Sequence, residues 1–185
     1  DGAAAATGSV SITIIPVDDA PVLDVNAGGT VAEGGTLAIT TAELSTSDND
    51  TADGDIIYTV TSAPSNGQLE LTSGVGVAIT SFTQDDLVNG LVVFVHDGSE
   101  TLSDSFDFTV ADATTPLASA SFGITVTPVN DAPSLTVNNP ADILEGGTAV
   151  LDNTILVGAD ADDADTAITY TVSNVVNGQV ELTSG

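Results

Sequence analysis

Apolar and polar residues alternate with a period of two along much of the chain. Phe106, Phe108 and Val110 interleave with Asp107 and Thr109, and Ile56, Tyr58 and Val60 with Ile57, Thr59 and Thr61. Val10, Ile12 and Ile14 likewise interleave with Ser11, Thr13 and Ile15. Successive side chains of a strand point to opposite faces, so this spacing predicts strands with one buried face. Asn66-Gly67 and Asn177-Gly178 stand between such runs and predict hairpin turns, because Asn and Gly accept positive φ cheaply. Helical spacing is scarce, and the best candidate is one short helix around Thr83 to Leu87. Short strands separated by turn residues predict an antiparallel β-sandwich.

The pattern also repeats at long range. Ser9-Val10-Ser11-Ile12-Thr13-Ile14-Ile15-Pro16-Val17-Asp18-Asp19-Ala20-Pro21 returns 112 residues later as Ser121-Phe122-Gly123-Ile124-Thr125-Val126-Thr127-Pro128-Val129-Asn130-Asp131-Ala132-Pro133. Glu33-Gly34-Gly35-Thr36 returns as Glu145-Gly146-Gly147-Thr148, and Tyr58-Thr59-Val60 as Tyr170-Thr171-Val172. The segment from Asn66 to Gly74 returns from Asn177 to Gly185, one residue closer. The repeat assigns residues 1–20 to the last strand and linker of a preceding repeat, 21–132 to a complete repeat, and 133–185 to the first half of the next. The two partial pieces lack any counterpart of residues 75–104, so the chain is expected to continue past both ends.

Charge sharpens this picture. The 185 residues include 27 Asp and Glu, no Lys, no Arg and one His, for a formal charge of −27. Hydrophobic residues make up 42% of the chain, which is enough to build a packed core and unlike a disordered segment. Without basic residues there is no phosphate-binding patch or polybasic anchor, so nucleic acid and anionic lipid are poor partners, and no direct membrane insertion is expected. With no Cys, one His and no Lys or Arg, few catalytic constellations are open, and the chain is not expected to be an enzyme.

The acids are mostly Asp, 21 against 6 Glu, and they cluster. One cluster is the linker Pro16-Val17-Asp18-Asp19-Ala20-Pro21 and its echo Pro128-Val129-Asn130-Asp131-Ala132-Pro133. Its prolines stop either sheet from running through, which leaves two readings, a cation-holding connector or an ordinary Pro-bounded turn. The second cluster is Asp48-Asn49-Asp50-Thr51-Ala52-Asp53, aligned with Asp160-Ala161-Asp162-Asp163-Ala164-Asp165. Carboxylates two apart in a loop repel unless a cation lies between them, and oxygen-only ligands suit Ca²⁺ rather than zinc or copper. A solvated acidic loop is the alternative. The third is His96-Asp97-Gly98-Ser99-Glu100, followed by Asp104. His96 shares strand parity with Val92 and Phe94, which fits a packing or hydrogen-bonding residue better than a metal ligand.

Together the Val129-Asn130-Asp131-Ala132-Pro133 linker, the Glu-Gly-Gly-Thr that follows the equivalent linker upstream, the Asp-x-Asp loop and His96-Asp97-Gly98-Ser99-Glu100 ahead of Asp104-Ser105-Phe106 carry a resemblance. They are similar to the cadherin-like repeats called chondroitin sulfate proteoglycan repeats, found in large bacterial surface adhesins and some animal matrix proteins. The resemblance covers residues 21–132 and continues into both flanks. It implies an all-β fold of tandem cadherin-like, immunoglobulin-like antiparallel β-sandwich repeats of about 112 residues, seven strands each, with calcium between repeats. The implied ligands of one junction are Glu33, Asp97 and Glu100 from one repeat, Asn130 and Asp131 from the linker, and Asp160 and Asp162 from the next repeat. The upstream junction would use Asp18, Asp19, Asp48 and Asp50. Two features depart from the cadherin pattern: the linker lacks a second Asn, and Gly98-Ser99 stands where cadherins carry a basic residue beside their acids.

The expected function is an extracellular structural and adhesive stalk, at a cell surface or in a secreted matrix, stiffened by Ca²⁺. Its partners would be neighbouring repeats of the same chain and other copies in a filament or bundle. The alternative is a repeat that itself binds a glycan or protein ligand. Exposed aromatic platforms would favour that, but most of the seven aromatic residues fall on buried strand parity.

Overall fold

The computed structural model describes the whole chain except residues 1, 6, 16, 113–115, 118 and 183–185. Pro16 of the leading linker and the end of the repeated Asn177 segment, 183–185, therefore lie outside the described residues. The chain divides into two compact units, 1–127 and 128–185.

The first unit carries β1 (Val22–Asn26), β2 (Gly29–Ala32), β3 (Thr36–Ile39), β4 (Leu44–Ser47), β5 (Ile57–Ser62) and β6 (Gly67–Leu71). It continues with β7 (Ser81–Thr83), α1 (Gln84–Val88), β8 (Val92–His96), β9 (Ser103–Ala111) and β10 (Ala120–Thr127). A five-stranded sheet in the order β2-β10-β9-β5-β7 and a three-stranded sheet β3-β8-β6 share one core, with the β1-β4 pair alongside. The alternation read from sequence is the reason. Phe106, Phe108 and Val110 of β9 and Phe122, Ile124 and Val126 of β10 are buried, while Asp107 and Gly123 between them stay exposed. Leu69, Val92 and Phe94 bury from the smaller sheet. Phe106 and Phe122 stack at 5.1 Å between ring centroids, and Tyr58 and Phe82 at 4.8 Å. Burying each such side chain contributes about 1.5–3 kcal/mol.

A polar network joins the core to the helix. The Tyr58 hydroxyl donates to Gln84 Oε1 at 2.8 Å and shares a 2.7 Å bond with Thr46 Oγ1, while Thr46 N–H donates to the same Gln84 oxygen. Burial pushes the Tyr58 hydroxyl up to about 12. The short helix forms where its spacing predicts: Thr83 caps it and Asp86 returns the bond to Thr83 N–H, a reciprocal capping box.

Several expectations are corrected. Among the described residues the first unit carries ten strands rather than seven, partly because its first strand breaks at Gly28 (φ 72°) and changes sheet. The sandwich is not wholly antiparallel, since β2 runs parallel to β10. Asn66-Gly67 is not a hairpin turn: β5 and β6 belong to different sheets, and the segment crosses between them. Gly67 is required by close approach instead, since a Cβ there would meet Val95 O at 2.4 Å and the Phe94 ring at 2.6 Å. Residues 9–15 form no strand, and Val10, Ile12 and Ile14 are more than 80% exposed. Their counterpart β10 is flanked by β9 and β2, whereas 9–15 has no such neighbours to pair with.

The second unit contains β11 (Ser134–Asn138), β12 (Leu156–Ala159) and a 3₁₀ turn, Asp165–Ala167. β11 pairs with β12 in the register of β1 with β4, 112 residues on, with the irregularity at the same place. Tyr170 meets the strand position equivalent to the one Tyr58 meets, but differently: its hydroxyl accepts from the backbone N–H of Gly158, the counterpart of Thr46, and the residue is half exposed. Asn177 adopts the expected positive φ of 61°, but no strands flank it among the described residues, so the second hairpin is absent as well.

Candidate metal centre

The predicted acids gather at the ends of the strands rather than in a cleft. At the leading end of the first unit, Asp48 Oδ1 accepts from the backbone N–H of Asp50 and of Thr51, both at 2.8 Å. This is the local folding signal of an Asx turn, and it curls the loop around the carboxylate. Asp50 Oδ2 in turn accepts from Asp19 N–H at 3.1 Å, tying the linker that carries Asp18 and Asp19 to the loop. The other Asp48 oxygen, Oδ2, is buried and has no hydrogen-bond partner. A buried carboxylate oxygen is costly unless a donor or a cation meets it.

The second unit repeats this geometry. Asp160 Oδ1 accepts from Asp162 and Asp163 N–H at 3.0 and 2.9 Å, and Asp162 Oδ2 accepts from Asp131 N–H at 2.6 Å. Asn130 Nδ2 donates to Asp131 O. Two independent copies of one hydrogen-bond pattern show that the Asp-x-Asp loop is built to receive the linker.

At the trailing end of the first unit, Glu33 N–H donates to Thr127 O, which seats Glu33 beside the exit of β10. Oxygens of Glu33 and Glu100 lie within 4.8 Å of each other. Asp97 does not complete a triad with them at that distance. Ser99 holds the Asp97 carboxyl below its usual range, its hydroxyl nearby and its backbone N–H donating to Oδ1 at 2.9 Å. The hydroxyl itself lacks hydrogen-bond geometry, so the N–H is the fixed contact. His96 is buried, and its ring nitrogens meet Gly34, Gly98 and Thr101. Its ring spans the Glu33 and Asp97–Glu100 loops, as the hydrogen-bonding reading of this residue anticipates.

Sequence reasoning missed Asp112. It is 9% exposed, follows the last residue of β9, and lines a recess with Asp50, Thr51 and Asp55 at the leading end. The available signal was an acid two residues past Val110, on the same parity as Phe106, Phe108 and Val110, just after Ala111, which pairs with Ile57.

The donors fit a hard cation. They are carboxylate and amide oxygens, the Asp48 Oδ2 atom is buried without a donor, and the chain contains no Lys or Arg to neutralise it. The aromatic residues offer no ligand platform on the complete repeat: Tyr58, Phe82, Phe94, Phe106, Phe108 and Phe122 are all buried.

A family model described as cadherin-like matches residues 21–126. Extracellular matrix organizing protein FRAS1 of Homo sapiens is 34% identical over 178 residues, 95% of this chain and 4% of its own length. Extracellular matrix protein 3 of Lytechinus variegatus and chondroitin sulfate proteoglycan 4 of Homo sapiens are each 39% identical over 55% of this chain, covering 3% and 4% of their lengths. The chain therefore spans only a small part of these relatives. They are animal matrix proteins, so the comparison with bacterial adhesins is not borne out. The expected extracellular localisation is that of these relatives, and the chain is extracellular. The match to the family model over more than half of this chain, together with the 34% identity to FRAS1 over 95% of it, shows that the chain belongs to the cadherin-like family.

Proposed function

We propose that this chain is a stalk segment in which Ca²⁺ binds at the ends of each repeat and stiffens the junction between repeats. The observation that carries the reading is the duplicated Asp-x-Asp loop, holding the linker backbone through Asp50 in one unit and Asp162 in the other. At the leading end, Asp18, Asp19, Asp48 and Asp50 supply oxygens, and Asp112 adds one from the end of β9. At the trailing end, Glu33, Glu100 and Asp97 would supply oxygens, and in this reading Asn130, Asp131, Asp160 and Asp162 of the next linker and repeat supply the others. A calcium ion takes 6–8 oxygen ligands, more than any one of these loops provides, so sharing among loops is what the ion requires.

Calcium supplies charge neutralisation and a geometry common to two repeats. The sandwich supplies the rigid ends, and the Pro-bounded linker limits how far the ligands can wander. Repeats of roughly 40 Å joined in this way make a rod, from strand length plus linker. The chain performs no catalysis in this reading, and its partners are its own neighbouring repeats and other copies in a filament.

Calorimetric titration of the chain with Ca²⁺ and with Zn²⁺ tests the proposal. Calcium binding in the range of about 10⁻⁴–10⁻³ M, typical of extracellular modules, is the expected outcome. No calcium heat at millimolar concentration, or tighter binding of zinc, would sink it.

A further inference from the structure

The trailing end holds a contact that its acids alone do not explain. His96 Nδ1 accepts from two backbone amides of different loops, Gly34 N–H at 3.1 Å and Gly98 N–H at 3.2 Å. An imidazole nitrogen that accepts carries no proton, so in the neutral ring the proton sits on Nε2, which points at Thr101 Oγ1 3.0 Å away. Both amides belong to glycines at positive φ, 63° and 83°, and a Cβ on Gly34 would lie 3.9 Å from Gly98 Cα. The two loops are thus in close approach, with the ring as their shared acceptor. Glu33 precedes one of these glycines, and Asp97 and Glu100 flank the other.

We infer that His96 is the positioning residue of the trailing calcium site: through one nitrogen it sets the separation of the Glu33 loop from the Asp97–Glu100 loop. This rests on the calcium reading above. The chain contains no Lys or Arg that could hold Glu33 beside Glu100 by charge. The ring itself does not ligate, because Nδ1 is occupied by two amides and Nε2 faces a hydroxyl. A merely structural role is the competing account, since His96 is 3% exposed and packs near the Phe94 ring at 6.3 Å.

Two substitutions separate the accounts. His96→Asn places Oδ1 where Nδ1 stands and keeps the acceptor for both amides, but loses the Thr101 contact. His96→Gln reaches toward Thr101 but withdraws the acceptor from Gly34 and Gly98. Calcium titrations of the full chain would be followed by NMR at the Gly34 and Gly98 amides, with hydrogen exchange at the same two sites. His96→Asn is expected to keep the wild-type midpoint. His96→Gln is expected to weaken binding about tenfold or more, as losing a partner that orients metal ligands does, and to expose both amides together. An unchanged midpoint in His96→Gln, or equal losses in the two variants, would overturn the inference. If His96→Gln does not fold, the wild-type chain decides: the two amides should share one opening event in exchange, and independent exchange would overturn the clamp. Wild-type resonances that ignore calcium would refute the calcium reading instead, and the exchange data would still judge the clamp.

Discussion

Replacing Asp48 with Asn separates the carboxylate's two tasks, because each oxygen does something different. Oδ1 braces the loop by accepting from Asp50 and Thr51, and an amide oxygen can do the same. Oδ2 is buried without a hydrogen-bond partner, and only a cation would make its charge useful. Without calcium, Asp48→Asn should therefore leave stability within about 1 kcal/mol of wild type, the worth of one ordinary hydrogen bond. Asp48→Ala, which strips both loop amides of their acceptor, should cost about 1–3 kcal/mol under the same conditions. With calcium the order changes. For a dissociation constant of about 0.1–1 mM, 10 mM calcium stabilises a folded site by about 1.4–2.7 kcal/mol. In a unit of this size that is a rise in melting temperature of roughly 5–15 °C. Asp48→Asn should lose most of the rise that belongs to the leading site. Thermal melts with 10 mM calcium and with chelator, on wild type and both variants, provide the comparison. An equal calcium-induced rise in wild type and Asp48→Asn would refute the reasoning. So would a chelated Asp48→Asn as unstable as Asp48→Ala.

Two further outcomes follow from the fold. Gly67→Ala should destabilise the first unit by about 1–3 kcal/mol, because its Cβ must displace the Val95 carbonyl and the Phe94 ring; denaturant melts with a cost near zero would contradict the close approach. In acid the chain should lose stability below about pH 4, although protonation also relieves its excess negative charge. Glu43, Glu70 and Asp97 have lowered folded values: Thr40 side chain and backbone hold Glu43 down, Gln68 and Gly76 hold Glu70 down, and Ser99 holds Asp97 down. Groups shifted this way stabilise above their unfolded values and lose that contribution as pH falls through the folded ones. Melting temperatures from pH 6 to 3 should fall, and Glu43→Gln should shallow the fall; a rise throughout would show that charge relief dominates.

Much of the fold is legible in the sequence because β-strands half-buried on one face leave a period of two. β9 and β10 show it residue by residue, and the Thr83 capping box shows the one helix. What escapes the sequence is which sheet a strand joins. Asn66-Gly67 has the chemistry of a hairpin turn, but the demand there is the absence of a side chain against Val95 and Phe94, which only the packed structure reveals. Residues 9–15 have strand alternation without neighbours, and alternation alone does not bury a face. For the site, the repeated Asp-x-Asp spacing brought Asp48, Asp50, Asp160 and Asp162 into view, and the structure adds that their loops hold the linker amides of Asp19 and Asp131. Asp112 and the bridging role of His96 depend on residues far apart in the chain meeting at one end, which spacing does not encode.

The most direct test of the account is the stiffness of a chain of several repeats, measured by small-angle scattering in calcium, in chelator, and in chelator with added sodium chloride. Glu33 and Glu100 carry like charges within 4.8 Å. Such a pair costs about 1 kcal/mol in bulk water and about 3.5 at an effective dielectric near 20, and exposure of Glu100 places it toward the lower figure. If acids of two repeats converge at each proposed junction, such repulsion should splay the linkers when calcium is removed. Monovalent salt screens that repulsion over about 10 Å at 0.1 M but cannot bridge two repeats. The account predicts a rod of full length in calcium, a flexible chain in chelator, and no recovery of length with sodium chloride. Equal stiffness with and without calcium, or full recovery with sodium chloride alone, would contradict it.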